Sequence, residues 1–149
     1  MYEPARVEAR KAQELDDRSH LPHWVIALSH FVQGKLADSR EPAEEAFRQA
    51  PWHSGVIGFL AGLLVQAGEK ERAEKLIATM HGMIPVGMIF YHLVCSEIDA
   101  TIDWYERGID EHQPRMALYA SAGFFKPLRS SPRWPKLAKM MNLPEKACQ

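Results

Sequence analysis

The spacing of bulky and small residues between Ile57 and Pro85 constrains the fold of this chain more than any other feature. It reads Ile57-x2-Leu60-Ala61-x2-Leu64, then Gly68-Glu69, then Ala73-x3-Ile77-x2-Met80, and closes on Pro85. Ile57, Leu60 and Leu64 supply bulk at helical intervals, and Ala61 is the small residue where two backbones approach. Ala73, Ile77 and Met80 fall at i, i+4, i+7, one stripe of a second helix. Gly68 permits a tight crossing between the two. Gly58 and Gly62 cost the first helix up to ~1 kcal/mol each relative to alanine, a loss that close helix–helix approach would offset. A two-helix unit of this kind cannot bury its apolar face alone, so it implies neighbours on both sides.

The flanking segments repeat the pattern more loosely. Upstream, Trp24-x2-Ala27-Leu28-x2-Phe31 is followed by Ala43-x3-Phe47-x2-Ala50; downstream, Met88-Ile89-x2-His92 is followed by Thr101-x3-Tyr105-x2-Gly108. Turn signals separate helical segments along the whole chain. A charged helix spans Arg6 to Asp17. A second runs from about His23 to Val32 with Pro22 in its first turn, and a third is capped by Ser39 with Pro42 in its first turn. Further helices cover about Ser54–Gln66, Glu69–Met80 and Val86–Val94, the last apolar nearly all round and therefore expected at the centre. A seventh starts near Asp99 and ends before Pro114, an eighth covers Arg115–Ala122, and a last one runs from about Pro132 to Met141. No alternating strand pattern occurs. The expected fold is all-α, built of antiparallel helical hairpins; an irregular helical bundle is the alternative.

The Ile57–Pro85 spacing resembles one tetratricopeptide (TPR) repeat, a helix–turn–helix unit of about 34 residues. The tail extends the likeness. Phe124-Phe125-Lys126-Pro127-Leu128-Arg129-Ser130-Ser131-Pro132-Arg133-Trp134, followed by Leu137 and Met141-Asn142-Leu143-Pro144, resembles the "F-x-P-L-R-S-D-P-R-F" and "M-x-L-P" ending of TPR regions in bacterial multi-domain proteins. Trp104-Tyr105-Glu106-Arg107 resembles the "W-L-E-R-A" helix that precedes that ending. This chain departs with Ser131 in place of Asp and Trp134 in place of Phe. In that family the TPR region lies behind a serine/threonine kinase domain or a winged-helix domain, often with a TolB-like segment. The resemblance covers about Trp24 to Pro144. It implies a short stacked α–α superhelix: residues 1–21 a charged N-terminal helix, 22–114 about three hairpins, and 115–149 a C-terminal capping segment. It also implies a partner-binding groove, lined by Val25, Ser29 and Val32 from the first hairpin, Gly58, Gly62 and Val65 from the second, and Val86, Phe90 and Leu93 from the third.

That groove is apolar and lacks the Lys, Arg and Asn with which chaperone-type TPR domains clamp a carboxylate. Two readings follow. Either it takes an apolar helix or extended peptide, or Phe124, Phe125 and Leu128 fill it from within. Self-association into a homodimer through an exposed end face is a further expectation. Eighteen basic against nineteen acidic side chains leave a formal charge of −1, which argues against nucleic-acid binding. The longest apolar run, Val56 to Val65, falls short of the ~20 residues that span a bilayer. Cys95 and Cys148 cannot build a disulfide framework, so a cytoplasmic, reducing setting is expected. The abrupt charged start suggests a piece of a longer protein.

No catalytic constellation emerges. His20 and His23 have i, i+3 spacing, but Pro22 argues against a continuous helix there, and no HExxH or CxxC set accompanies the seven histidines. His92 reads as a hydrogen-bonded interface residue. Cys95 reads as a buried thiol, and the adjacency of His53 and Ser54 makes no nucleophile–base pair. Asp99, Asp103, Glu106 and Asp110 read as a solvated acidic face. No cofactor, metal or active site is expected, and the function expected is protein binding.

Overall fold

The computed structural model describes residues 2–15 and 18–144. Asp17, Cys148 and the end of the expected capping segment, 145–149, lie outside the described residues. The helices are α1 (Tyr2–Leu15), α2 (His20–Val32), α3 (Leu36–Gln49), α4 (Ser54–Gln66), α5 (Lys70–Ala78), α6 (Ile84–Val94), α7 (Ile98–Asp110), α8 (Arg115–Tyr119), α9 (Lys126–Arg129) and α10 (Trp134–Met140). A 3-10 turn, Gly123–Phe125, precedes α9. Among the described residues there is no strand, and the fold is all-α. Each helix from α1 to α4 packs on the next, while α6 packs on α4 and α7 on α6.

Several helices end the same way. A residue in the left-handed region follows the last turn, and the next N–H reaches back five residues to a free carbonyl. Gly34 (φ +73°) and Gly68 (φ +82°) serve α2 and α4, with Lys35 N donating to His30 O at 2.9 Å and Glu69 N to Leu64 O at 2.8 Å. Ser96, His112 and Asn142 take the same conformation after α6, α7 and α10.

The centre of the protein is α4, not α6. Every residue from Ser54 to Leu64 is buried, whereas α6 leaves Ile84 exposed and Met88, Tyr91 and His92 half-buried. The physical reason is placement: α4 has α3, α5 and α6 around it. Its glycines make the closest approach in the molecule's core. A Cβ on Gly58 would lie 1.8 Å from the Gly87 carbonyl oxygen, and one on Gly62 would lie 2.7 Å from the Val94 Cβ. Close contact therefore offsets the helix-propensity cost of both. Ile57, Leu60, Ala61, Leu64 and Ala73 are fully buried and Met80 nearly so, while Ile77 is half-buried.

Two start signals work differently from the sequence expectation. The α3 helix begins at Leu36, and Ser39 does not cap it. Its buried hydroxyl donates to Ala27 O at 3.1 Å and Lys35 O at 3.2 Å, tying α3 to α2, so Pro42 sits inside the helix. There it lacks the N–H that would have met the Asp38 carbonyl. In α2, Ser19 is the N-cap, accepting from Leu21 N. The helix then runs unbroken through Pro22, because a proline in the first turn forfeits no intrahelical bond.

The tail folds back onto the last helices. Phe125, Leu128 and Trp134 are fully buried, and Trp134 packs edge-on to Tyr105 with ring centroids 6.0 Å apart. Arg133 donates to Asp103 at 2.7 Å and lies 3.5 Å from Glu106, while Lys136 pairs with Glu106. Asp99 approaches Arg133 at 3.8 Å. Three members of the acidic α7 face are thus counter-charges for the tail, although Asp99 and Asp103 keep most of their exposure to water.

Candidate functional site

The residues assigned to a groove separate into two groups. Val86, Phe90 and Leu93 are 1%, 1% and 3% exposed, and Gly58 and Gly62 are spent in the α4–α6 crossing. Phe90 lies in an aromatic cluster, 5.2 Å from Trp24, 5.8 Å from Tyr119, 5.4 Å from Phe124 and 5.7 Å from Phe125 between ring centroids. The tail therefore packs over Phe90 through Phe124 and Phe125. Packing these two rings on Phe90 removes apolar area from water.

Val25, Ser29 and Val32 belong to the second group. With Leu28, Gly123 and Phe124 they line a cavity of about 210 Å³ between α2 and the 3-10 turn. Val25 is 37% exposed, and Leu28, Val32 and Phe124 are half-buried. Ser29 adds no polarity to this wall, because its hydroxyl donates to Val25 O at 2.8 Å within the helix. The result is an open apolar strip along α2 from Val25 to Val32. Val65, the remaining expected groove residue, is half-buried and lies outside this cavity.

A second cavity, of about 240 Å³, opens where the N-terminal ends of α4 and α6 meet α8. Trp52, His53, Ser54, Gly55, His81, Gly82, Met83, Val86 and Arg115 line it. His53 is the N-cap of α4, and its Nδ1 accepts from Val56 N at 3.2 Å. Its ring sits 5.3 Å from His20 and 5.8 Å from Trp52. Burial first, then His20 and Arg115, push the His53 imidazole down to about 4. His20 is lowered as well, by burial and then by Arg115. The Arg115 guanidinium remains as a permanent charge, with the Tyr119 hydroxyl 3.4 Å away as its described hydrogen-bond partner. Met83, before α6, holds a left-handed φ of +44° directly after Gly82 at +61°, a costly conformation for a long side chain.

Ser54 and His53 do not form a nucleophile–base pair. The Ser54 hydroxyl donates to Gly82 O at 2.8 Å and not to His53, so its proton has no base. Cys95 is half-buried, and burial followed by the Glu97 carboxylate raises its thiol. His92 Nδ1 lies 2.5 Å from Glu97, a surface pair beside the end of α6. Among the described residues no group of three or more His, Cys, Asp or Glu side chains is placed to hold a metal ion. No described helix is long and apolar enough to cross a membrane.

Trp52, Met83 and Arg115 carry no motif, and only the chain's return at α8 brings Arg115 to the loops around Trp52. A tryptophan between Pro51 and His53, in a stretch too short to be helical, was the one available signal. Compared with protein families, with curated proteins and with solved structures, the chain gives no match.

Proposed function

We propose that this chain is a non-enzymatic, TPR-like interaction scaffold that holds the apolar face of a partner helix or extended peptide along α2. In this reading α2/α3, α4/α5 and α6/α7 are the repeated hairpins of a short superhelix and the tail from α8 to α10 is its cap. Its place is the C-terminal regulatory or sensing part of a larger bacterial signalling or transcription-regulating protein. One observation carries the proposal. Of the residues that the repeat pattern assigns to partner binding, Val25, Ser29 and Val32 line one cavity together, while Phe124 and Phe125 of the tail pack on Phe90 and Gly58 and Gly62 lie in the α4–α6 crossing. The internal filling narrows the groove and leaves its first third open.

The strip suits an amphipathic helix, whose anchors at i, i+3, i+4 and i+7 would follow the row Val25, Leu28, Val32. Peptide display against the immobilised protein, followed by calorimetry on the recovered peptides, tests this. Recovered sequences should carry apolar residues at that spacing, and Val32→Glu should weaken binding about tenfold or more with the helical circular dichroism unchanged. Binding that is indifferent to both Val25→Glu and Val32→Glu would refute the assignment.

A further inference from the structure

The cavity beside Trp52 shares no lining residue with the α2 strip, and its chemistry is different. At about 240 Å³ it has the volume of about eight water molecules at ~30 Å³ each, below the ~300 Å³ at which small-molecule and cofactor pockets begin. It has room for one side chain. Its walls are the Trp52 ring, the buried His53 ring, Met83 and Val86, and no Asp or Glu lines it. Arg115 is exposed and lines the cavity, and Trp52 is 68% exposed. We propose that this pocket receives an apolar side chain adjoining a carboxylate on a partner polypeptide, with the side chain among Trp52, Met83 and Val86 and the carboxylate on Arg115.

Three independent features favour that occupant. Guanidinium groups pair with carboxylates through two parallel hydrogen bonds, and the Arg115 fork is not taken by any carboxylate in the cavity wall. Tryptophan, arginine and methionine are the residue types enriched at protein contacts, and the first two dominate their energetics. Met83 is kept in a strained backbone conformation that a glycine would adopt freely, and such strain gathers at ligand clamps. A charge at the rim and apolar walls below it suit a chain that continues outward after one residue is seated.

The test is a titration of the full ¹⁵N-labelled chain near pH ~7, where the guanidinium and carboxylate are both charged. Its probes are N-acetyl-phenylalanine, N-acetyl-phenylalaninamide and inorganic phosphate. The acid should move the amide signals of Gly55, Gly82 and Val86, and the amide should bind about fivefold or more weakly than the acid. Arg115→Gln and Trp52→Ala, both at exposed positions, should each reduce acid binding by a similar factor. No movement up to ~10 mM acid, equal affinity for acid and amide, or equal shifts with phosphate would each overturn the proposal, the last by making the pocket a simple anion site. A display-selected peptide that loses binding with Val32→Glu but not with Arg115→Gln would leave the α2 strip standing and sink this second contact.

Discussion

Gly58→Ala sets two effects of opposite sign against each other. Alanine favours a helix interior by about 1 kcal/mol over glycine, so an α4 with free space around it would be stabilised. Here the new Cβ would lie 1.8 Å from the Gly87 carbonyl oxygen, 2.5 Å from its carbonyl carbon and 2.9 Å from its Cα. All three are backbone atoms, so no side-chain rotation relieves the clash. A carbon–oxygen contact needs about 3.3 Å, so α4 and α6 must separate by more than an ångström along their closest crossing. Gaps of ~0.5–1 Å already forfeit a quarter to a half of the contact energy, and overpacking costs about 1–3 kcal/mol or more. With the propensity gain subtracted, the net loss should be about 2 kcal/mol, or roughly 4–8 °C in Tm for a chain of this size. Urea and thermal unfolding followed by circular dichroism would measure it. The neighbouring glycines calibrate the argument. Gly62→Ala meets the Val94 Cβ at 2.7 Å and the Tyr91 carbonyl oxygen and Val94 Cγ1 at 3.0 Å each, a shallower clash that should cost less, and Val94→Ala would relieve only the Cγ1 contact. Gly55→Ala meets only the His53 and Phe90 rings at 3.1–3.4 Å and should be close to neutral. A Gly58→Ala protein as stable as the parent would show that the α4–α6 approach is not this close.

Two further perturbations probe the cavity and the tail. The folded His53 value of about 4 lies below the ordinary ~6.5, so the neutral ring's contribution is complete above pH ~6.5 and is lost as pH falls toward ~4. His20 and His30 are also lowered and act in the same direction. Thermal unfolding between about pH 7 and 4.5 should fall more steeply for the parent than for His53→Asn, which keeps an N-cap acceptor and removes the titration; identical slopes would contradict the assignment. Tyr105 is fully buried and its hydroxyl donates to the Met116 carbonyl, which also accepts from Ala120 N at 3.2 Å, so Tyr105→Phe removes one of the two bonds to that carbonyl. A loss of about 1 kcal/mol in urea unfolding is expected.

The helices were legible where a segment's own chemistry defines it. Ser54–Gln66 carries no charge and ends before Gly68, so its sequence and structural bounds coincide. Ser39 misled because a serine that could cap a helix can equally hydrogen-bond from inside one to a neighbour, and only the partner carbonyl of Ala27 distinguishes the two. The α6 segment is as apolar as α4, yet centrality depends on how many helices surround a segment, which periodicity does not encode. The short α9 and the 3-10 turn lie below the length at which periodicity is readable. Val25, Ser29 and Val32, which the repeat resemblance named, line one cavity together because they lie on one helix. Trp52 and Arg115 were not legible, since they meet only through the fold-back of the tail.

The central claim is that α2 offers the open part of an otherwise self-filled inner face. A ¹H–¹⁵N shift map of the full chain with a display-selected peptide tests it most directly. Perturbations should concentrate at Val25, Leu28, Ser29 and Val32 and at Gly123 and Phe124. A footprint confined to the outer faces of α3 and α5, with α2 unmoved, would contradict the account.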